Sequence, residues 1–445
     1  MDRASLEQLS REQLLAVIAE LSALVEQLQA RVAELEAQLG GPPPSKQIPA
    51  FVKASRKKAE PAKPRRQRAQ AFVRRREVPT RRVEHALDTC QGCGCHLEGS
   101  SVKRRRQVLH IPLTRVEVIE HVYIERRCPL CGKRNVPRVE LEGQAVGKSR
   151  LSSDTMAMIA CLHEAGRLPL GQIQWLLEAF YKLKLSVGEI VRVLQTVAEK
   201  GRATVAGLLE ELRAAPLVHA DETGWRENGQ NGYLWSFSNE KISYFVRDKS
   251  RGSEVVGQVL GEDFSGVLVS DFYSAYNFLD CPHQRCWVHL LRDVHELVEQ
   301  HPADEALKRW AGTVHNLYLE AKATSQELKG RPRLERAAAR QGLEERLLAL
   351  ATPYLKSDAP QKVLCHRIDH FLAELLTFVE LAWVPPDNNA AERAIRAQVV
   401  ARKVSGGTRS AKGSATKAIL ATLFATWRLR RQDPLLACRL LLNSP

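Results

Sequence analysis

The chain has 445 residues, of which 44% are hydrophobic and 26% are charged, and its formal net charge is +15. The length exceeds that of one small core and predicts two to four domains, while the excess of positive charge favours a polyanionic partner. No charged segment followed by an apolar run opens the chain, and no apolar stretch reaches the roughly 18 residues that cross a bilayer. We therefore expect a cytoplasmic protein without membrane segments.

Residues 1–40 contain a seven-residue apolar repeat between Leu14 and Leu39. Leucines hold one position of the repeat, and mostly β-branched residues follow four positions later: Leu14, Leu21, Leu28 and Leu35, then Ile18, Val25, Val32 and Leu39. This pattern is typical of a parallel coiled coil and predicts a homodimer or higher oligomer. The alternative is a helix that packs on its own domain.

Residues 41–82 lack any apolar period and concentrate the charge. Between residues 51 and 82 there are 13 Lys or Arg against Glu60 and Glu77, so this segment holds eleven of the fifteen net charges. It is predicted to be a disordered basic linker. Its arginines are either a solvated charge run or phosphate contacts, for which the candidates are Arg65, Arg66, Arg74, Arg75 and Arg76.

Residues 83–148 contain two Cys-x-x-Cys pairs, Cys90 with Cys93 and Cys128 with Cys131. The residues between them alternate apolar and polar side chains and predict strands, notably around Val116, Val118 and 122–124. Two pairs of thiolates are a typical ligand set for tetrahedral zinc, so we predict a zinc ribbon that binds DNA. Free thiols are the alternative, and Cys95 is an alternative ligand.

Residues 149–214 are predicted to be helical, with one helix ending near Tyr181. Ser186 and Glu189 then form a capping box that starts a second helix. The pair is compatible with a helix-turn-helix, although such pairs are more often plain helical packing.

From residue 215 the pattern changes to strands. Leu217–Asp221, Gly232–Ser238 and Ile242–Arg247 predict three consecutive strands, the last two joined at Asn239 and Glu240. A helix near 251–260 then leads to a continuous apolar strand that ends at Asp271. The sequence therefore predicts a multidomain α/β protein with a mixed sheet.

Two acids, Asp221 and Asp271, stand at the predicted ends of apolar strands. Converging carboxylates attract magnesium, but an aspartate at a strand end is often only a turn former. A third acid, Glu392, lies on a predicted helix that Asp387 or Asn388 caps. On its own, this helix start predicts a surface helix in which Glu392 pairs with Arg396.

Five segments together resemble the insertion-sequence-66 family of DDE transposases: HADETGW, VSDFYSAYN, CWVHLLRD, DNNAAERAIR and ARKVSGGTRSAKG. The resemblance extends to the coiled coil, the cysteine pairs and the helical segment, and so covers nearly the whole chain. One departure is Val404–Gly407, where many members have an aromatic-rich run.

The resemblance implies an RNase H-like catalytic domain over 215–430, with a helical insertion at about 290–385 and a C-terminal helix over 431–445. It implies that Asp221, Asp271 and Glu392 hold two Mg²⁺ ions, with Mn²⁺ as a substitute, while Glu222 and Asp387 compete for those roles. The implied reactions are hydrolysis at the element ends and strand transfer into target DNA. The implied partners are DNA and accessory proteins of the element. The implied location when the protein is bound to DNA is the nucleoid.

Further candidates surround these acids. Four basic residues are predicted phosphate contacts against the alternative of a solvated helix face: Arg393, Arg396, Arg402 and Lys403. Cys281, His283, Cys286 and His289 are a weak second zinc set, since Cys286 and His289 also fit packed helix positions. Two alternative functions are a non-catalytic DNA-binding regulator derived from a transposase and an RNase H-like nuclease without strand transfer.

Overall fold

The computed structural model describes residues 23, 25–27, 78–99, 101–109, 116–137, 146–147 and 149–444. The chain divides into two compact units, Met1–His110 and Ile111–Pro445. In the first unit, Ala23 and Val25–Gln27 are helical, but most of the predicted coiled coil and the linker up to residue 77 lie outside the described residues. Residues 78–82 form neither helix nor strand.

The first cysteine pair of the chain lies on a tight turn of the first unit. The N–H of Gly94 donates to the carbonyl of Cys90 at 2.9 Å, and the N–H of Cys90 donates to the carbonyl of Cys95 at 2.8 Å. A bridge between Thr89 and His96 closes the turn.

The second cysteine pair lies on a similar turn of the second unit. The N–H of Gly132 donates to the carbonyl of Cys128 at 2.9 Å, between the antiparallel strands β1 (Arg126–Arg127) and β2 (Arg134–Asn135). Strands predicted earlier in this stretch do not form over residues 116–125. Val118 and Val122 are exposed there, so the alternating pattern has no apolar surface to cover it.

The predicted helical segment forms three helices, α1 (Ser153–Glu164), α2 (Leu170–Tyr181) and α3 (Val187–Arg213). The predicted end of α2 and the capping box at Ser186 are both confirmed, since Ser186 accepts from Glu189 and Glu189 accepts in return. These helices share a core with the last two helices of the chain, α12 (Ala411–Leu429) and α13 (Pro434–Asn443).

A five-stranded mixed sheet forms the centre of the second unit. Its strands are β3 (Leu217–Gly224), β4 (Tyr233–Ser238), β5 (Ser243–Asp248), β6 (Val267–Ser270) and β7 (His283–Arg285). Their order across the sheet is β5-β4-β3-β6-β7. Strands β3, β4 and β5 are antiparallel neighbours, whereas β6 is parallel to β3 and β7 is parallel to β6.

The sequence of each strand explains its place in the sheet. The predicted turn between β4 and β5 is confirmed, because the side chain of Asn239 accepts from the N–H groups of Lys241 and Ile242, both at 2.8 Å. All four residues of β6 are buried, as expected for a central strand with both faces covered. Helix α4 (Ser253–Leu260) makes the crossover from β5 to β6.

A helical insertion follows β7, as the sequence predicts. It contains six helices: α5 (Trp287–Gln300), α6 (Glu305–Glu327), α7 (Arg333–Ala351), α8 (Lys362–His370), α9 (Leu372–Leu375) and α10 (Thr377–Glu380). Their apolar faces form one core that also includes Val267 and Val269 of β6. The insertion therefore packs on one face of the sheet.

The chain returns to the sheet through α11 (Asn389–Ser405), which packs against β3 and β4. Helix α12 then packs along β5, where the hydroxyl groups of Thr422 and Thr426 accept from the N–H groups of Phe245 and Ser243. The edge strand is thus covered by a helix. None of the helices in the described part of the chain is long and apolar enough to cross a membrane.

Candidate active site

The two predicted aspartates lie on adjacent parallel strands and on the same face of the sheet. His219 of β3 pairs with Val269 of β6, and Asp221 and Asp271 each follow two residues later. Because side chains alternate along a strand, both acids share the face of His219 and Val269. One detail of the prediction is wrong: β3 continues past Asp221 to Gly224, since these residues pair with β4.

Asn388 brings the third acid to this face. Its side-chain Nδ2 donates to the carbonyl of Ala220 at 2.7 Å, and its Oδ1 lies 3.0 Å from Nδ1 of His219. Since that oxygen is the acceptor end of the amide, Nδ1 of His219 carries the proton. Asn388 is only 1% exposed, so α11 starts from a fixed point against β3 and carries Glu392 in its first turn.

The capping prediction is therefore only partly right. Asp387 caps through its Oδ1, which accepts from the N–H of Asn389 at 3.1 Å. Asn388 stands at the cap position but makes no side-chain cap, because its amide is used by the sheet. The predicted pair between Glu392 and Arg396 is absent between these two residues, and Glu392 faces His289 instead, at 3.8 Å.

The electrostatics of the acids show that they act on one another. Burial is the largest cause that raises the pKa of Asp221 to about 7, and the nearby carboxylates of Glu222, Asp271 and Glu392 act in the same direction. One oxygen of Asp221 accepts from the N–H of Glu222 at 2.9 Å, which opposes that shift. A carboxyl group with such a pKa lacks a compensating cation.

Glu222, the neighbouring acid, has a different environment. Its side chain is 3% exposed and faces the other side of the sheet, where Arg251 donates to it at 2.7 Å. The hydroxyl of Tyr276 donates to its second oxygen at 2.5 Å. The guanidinium of Arg251 also lies 4.0 Å from the ring centre of Tyr273. Glu222 is thus already paired within the protein.

The chemistry of these carboxylates is suited to binding a divalent cation. Oxygen donors suit Mg²⁺, and the raised pKa of Asp221 marks unbalanced negative charge. Oε1 of Glu392 and Nδ1 of His289 are both buried without a hydrogen-bond partner. Within the described ranges, however, no three His, Cys, Asp or Glu side chains stand close enough together to hold a metal ion.

Arg285 fixes the strand end that bears Asp271. This arginine is fully buried, and its Nη1 donates to the carbonyl of Asp271 at 2.9 Å and to the hydroxyl of Ser270 at 3.1 Å. Its Nε donates to Glu374 at 2.5 Å, and its Nη2 donates to Asn277 at 2.7 Å. The sequence reasoning missed this residue, because the polar segment His283–Arg285 gives no local signal of a buried strand.

The second cysteine–histidine set is engaged in packing. Burial raises the pKa of the Cys281 thiol to about 11, Nε2 of His283 lies 3.2 Å from the carbonyl of Leu279, and Sγ of Cys286 accepts from the N–H of Asn388. In the described part of the chain, these side chains do not form a cluster that could hold a metal ion.

Comparison with known families decides the relationship of the chain. The family model described as Transposase IS66 family matches residues 148–416, which is more than half of the chain. The chain belongs to the IS66 transposase family.

The similar curated proteins are themselves uncharacterised. They come from Sinorhizobium fredii (strain NBRC 101917 / NGR234) and are called y4qI, y4jD and y4jO. The identities are 26% over 265 residues, 24% over 260 residues and 31% over 160 residues, which cover 51%, 51% and 36% of this chain. This transposase-family chain spans about half of their length, 47%, 50% and 47%.

The basic residues of the family's last two motifs have unequal roles. Arg393 and Arg396 are exposed on α11, and Lys403 is exposed near its end. Arg402 instead donates from Nη1 to the hydroxyl of Thr223 at 2.9 Å and to the carbonyl of Gly224 at 2.6 Å. The five linker arginines that the sequence suggested as phosphate contacts lie outside the described residues.

The two cysteine turns of this transposase-family chain favour thiolates locally. The pKa of Cys90 is lowered by the N–H groups of Gly92 and Cys93, and the pKa of Cys128 by those of Cys131 and Leu130. Thiolate is the form that binds zinc. The two turns belong to different compact units.

Proposed function

We propose that the protein is a DNA transposase that cleaves the ends of an insertion sequence and joins them to target DNA. One observation carries this proposal. Asp221 and Asp271 follow one another on the same face of adjacent parallel strands, and burial, followed by the carboxylates of Glu222, Asp271 and Glu392, raises the pKa of Asp221 to about 7. The membership in the IS66 transposase family supports the same reading.

The sheet supports an RNase H-like catalytic domain. Three antiparallel strands, β5-β4-β3, continue into two strands parallel to β3, and α4 makes the crossover. This arrangement resembles the RNase H-like fold that the sequence motifs imply. Asp221 on the central strand, Asp271 after its parallel neighbour and Glu392 on a later helix are then the three acids of the site.

Divalent ions bound by these acids would activate a water or a 3′-hydroxyl and stabilise the leaving oxygen of the phosphodiester. The chain's own residues supply the frame. Asn388 fixes the start of α11 on β3, and Arg285 fixes the backbone at Asp271. Arg393 and Arg396 lie exposed on the same helix as Glu392, where they can contact phosphates.

The remaining segments have proposed supporting roles. Cys90, Cys93, Cys128 and Cys131 are proposed ligands of structural zinc, and the repeat in residues 1–40 would assemble the protein into a dimer or higher oligomer. The basic linker would add sequence-independent contacts to DNA. Other proteins of the same element are proposed partners.

The test uses the full chain with DNA that carries the terminal sequences bordering the gene. Wild-type protein with Mg²⁺ is expected to nick these ends and to form joined products, whereas Asp271→Asn forms neither. Asp369→Asn is the matched control, because Asp369 is an exposed acid of α8 in the insertion.

The outcomes separate the candidate functions. Equal products from wild type and Asp271→Asn would overturn the three-acid site. Binding without any cleavage by the wild type would favour a regulator, and cleavage without joining would favour a nuclease.

A further inference from the structure

A pocket of about 390 Å³ lies at the end of β3, away from the three acids. Its walls come from the turn between β3 and β4 and from the end of α11, and they include Gly224, Arg226, Asn231, Arg402 and Gly406. Two of its lining residues are arginines and none is acidic. The pocket is therefore suited to an anion.

The two walls of the pocket are joined by a fixed loop. The N–H of Thr408 donates to the carbonyl of Arg226 at 2.9 Å, and the N–H of Asn228 donates to the carbonyl of Thr408 at 2.8 Å. Gly407 has a φ of 110°, and a Cβ there would lie 2.2 Å from the carbonyl oxygen of Arg226. Glycine at 407 thus permits close approach to the protein's own backbone.

Arg402 presents a prepared anion-binding group. Its Nη1 is held by Thr223 and Gly224, so the plane of the guanidinium has one orientation. The N–H groups on its Nε and Nη2 have no hydrogen-bond partner among the residues that the structure describes. Two adjacent N–H groups of a guanidinium match two oxygens of a phosphate.

The second arginine of the pocket is more exposed. Nε of Arg226 donates to Asn231 at 3.3 Å. The nearest acid in sequence, Glu227, does not neutralise it, because Glu227 pairs with Arg247 at 3.4 Å and also accepts from Ser414. The positive charge of the pocket is therefore available to a ligand.

The pocket lies on the same strand as Asp221 and on the same helix as Glu392. Thr223 lies two residues after Asp221 on the same face of β3, and Gly224 follows, so the pocket begins about 10 Å from Asp221 along the strand. Helix α11 spans both sites, with Glu392 in its first turn and Arg402 in its last. A separation of about 10 Å allows one DNA strand to contact both sites, because its phosphates follow one another at about 3.4 Å along the helix axis and at longer distances along the backbone.

We propose that this pocket binds one backbone phosphate of the DNA strand, within a few nucleotides of the phosphodiester that reacts at the acids. Arg402 and Arg226 are its contacts, and the glycines at 224 and 406 let the strand approach because they have no Cβ. This inference rests on the proposed function. It adds a site that fixes the register of the strand over the acids.

The first test measures the salt dependence of binding. A 30-base-pair duplex with the terminal sequence bordering the gene is titrated without divalent cations at several salt concentrations. Arg226→Gln is expected to lower the slope of log K against log salt by about 0.9, the value for one phosphate. Arg309→Gln, at an exposed position of α6, is the matched control and keeps the wild-type slope.

The second test locates the phosphate. Single methylphosphonates, which remove one charge, replace successive phosphates of the duplex. The wild type is expected to lose about tenfold in affinity at one position within a few nucleotides of the reacting phosphodiester, and Arg226→Gln is expected to be insensitive at that same position. Arg402→Lys, which keeps the charge but loses the paired N–H groups, is expected to lose about fivefold, with thermal unfolding as the check on folding.

The outcomes distinguish this site from the proposed function. Unchanged slopes together with additive effects of methylphosphonate and Arg226→Gln would overturn the pocket, even if the wild type cleaves with Mg²⁺. Competition by millimolar dAMP as strong as that by DNA would assign the pocket to a free nucleotide and overturn it as well. A wild type that does not bind the duplex would overturn both proposals.

Discussion

Asp221 and Glu222 are neighbours in sequence, but they lie in opposite environments. Glu222 faces Arg251 and Tyr276, which satisfy both of its oxygens. Burial, followed by the carboxylates of Glu222, Asp271 and Glu392, raises the pKa of Asp221 to about 7. Glu222 is therefore already paired within the protein, whereas Asp221 is left with an unbalanced charge. A carboxylate that the fold leaves without a cation is the better candidate for binding one.

The largest expected effect separates the two acids by activity. Asp221→Asn is expected to reduce cleavage of element ends by at least about 1,000-fold, since a loss of about 4 kcal/mol of transition-state stabilisation corresponds to that factor. Glu222→Gln should keep cleavage within about tenfold of wild type. Single-turnover cleavage of labelled DNA measures both. Equal losses from the two variants would contradict the comparison.

The second effect is on stability as a function of pH. The pKa of Asp221 is about 7 in the folded state and 3.8 in a model peptide, so the folded protein binds this proton more tightly. The stabilisation of the folded state by this proton is fully present below about pH 3.8. It is lost as the pH rises through about 7, which lowers the free energy of unfolding by up to about 4 kcal/mol.

Denaturant unfolding of the metal-free protein tests this sign. Asp221→Asn should make the protein more stable than wild type at pH 8 and close to it at pH 4. Mg²⁺ should reduce the difference in stability between Asp221→Asn and the wild type at pH 8, since it binds the ionised form of Asp221. A variant that is less stable than wild type at pH 8 would show that Asp221 already has a partner within the protein.

The third effect concerns the anchor that brings Glu392 to the aspartates. Asn388→Ala removes the bonds to His219 and Ala220 and is expected to cost about 2 kcal/mol, because a buried carbonyl and a buried imidazole lose their partner. Cleavage should fall by about tenfold or more at the same folded fraction. Asn389→Ala is the control, since only the backbone N–H of Asn389 is used. Chemical unfolding and cleavage are the measurements.

The smallest effect concerns Glu222 alone. Tyr276→Phe removes the hydroxyl that donates to Glu222 and is expected to cost about 1 kcal/mol of stability. Cleavage should be unchanged, because the hydroxyl lies on the face opposite to Asp221. A cleavage defect larger than about tenfold in a folded Tyr276→Phe protein would place Glu222 in the active site.

Several parts of the fold could be predicted from local pattern. The strands around Leu217, Trp235 and Phe245, the buried strand before Asp271 and the capping box at Ser186 are all present. In each case the signal is local, because alternation, a continuous apolar run or a capping residue reports directly on backbone conformation. The same alternation failed over residues 116–125, where exposed valines have no partner surface.

Strand β7, the fifth strand of the sheet, was beyond such reasoning. Strand β7 has three residues, His283, Gln284 and Arg285, which are polar and yet buried. They are tolerated because Arg285 is paired with Glu374 and with the backbone at Asp271. Those partners lie 89 and 14 residues away in sequence, so no local pattern reveals them.

The sequence by itself determined the types of the site residues: two aspartates that follow apolar β segments, and a glutamate in the first turn of a helix that begins after two prolines. The tertiary structure decided which acids meet. The parallel register of β3 and β6 puts Asp221 and Asp271 on one face, and Asn388 fixes on β3 the start of the helix that carries Glu392. The same alternation turns Glu222 to Arg251, because successive side chains of a strand point to opposite faces.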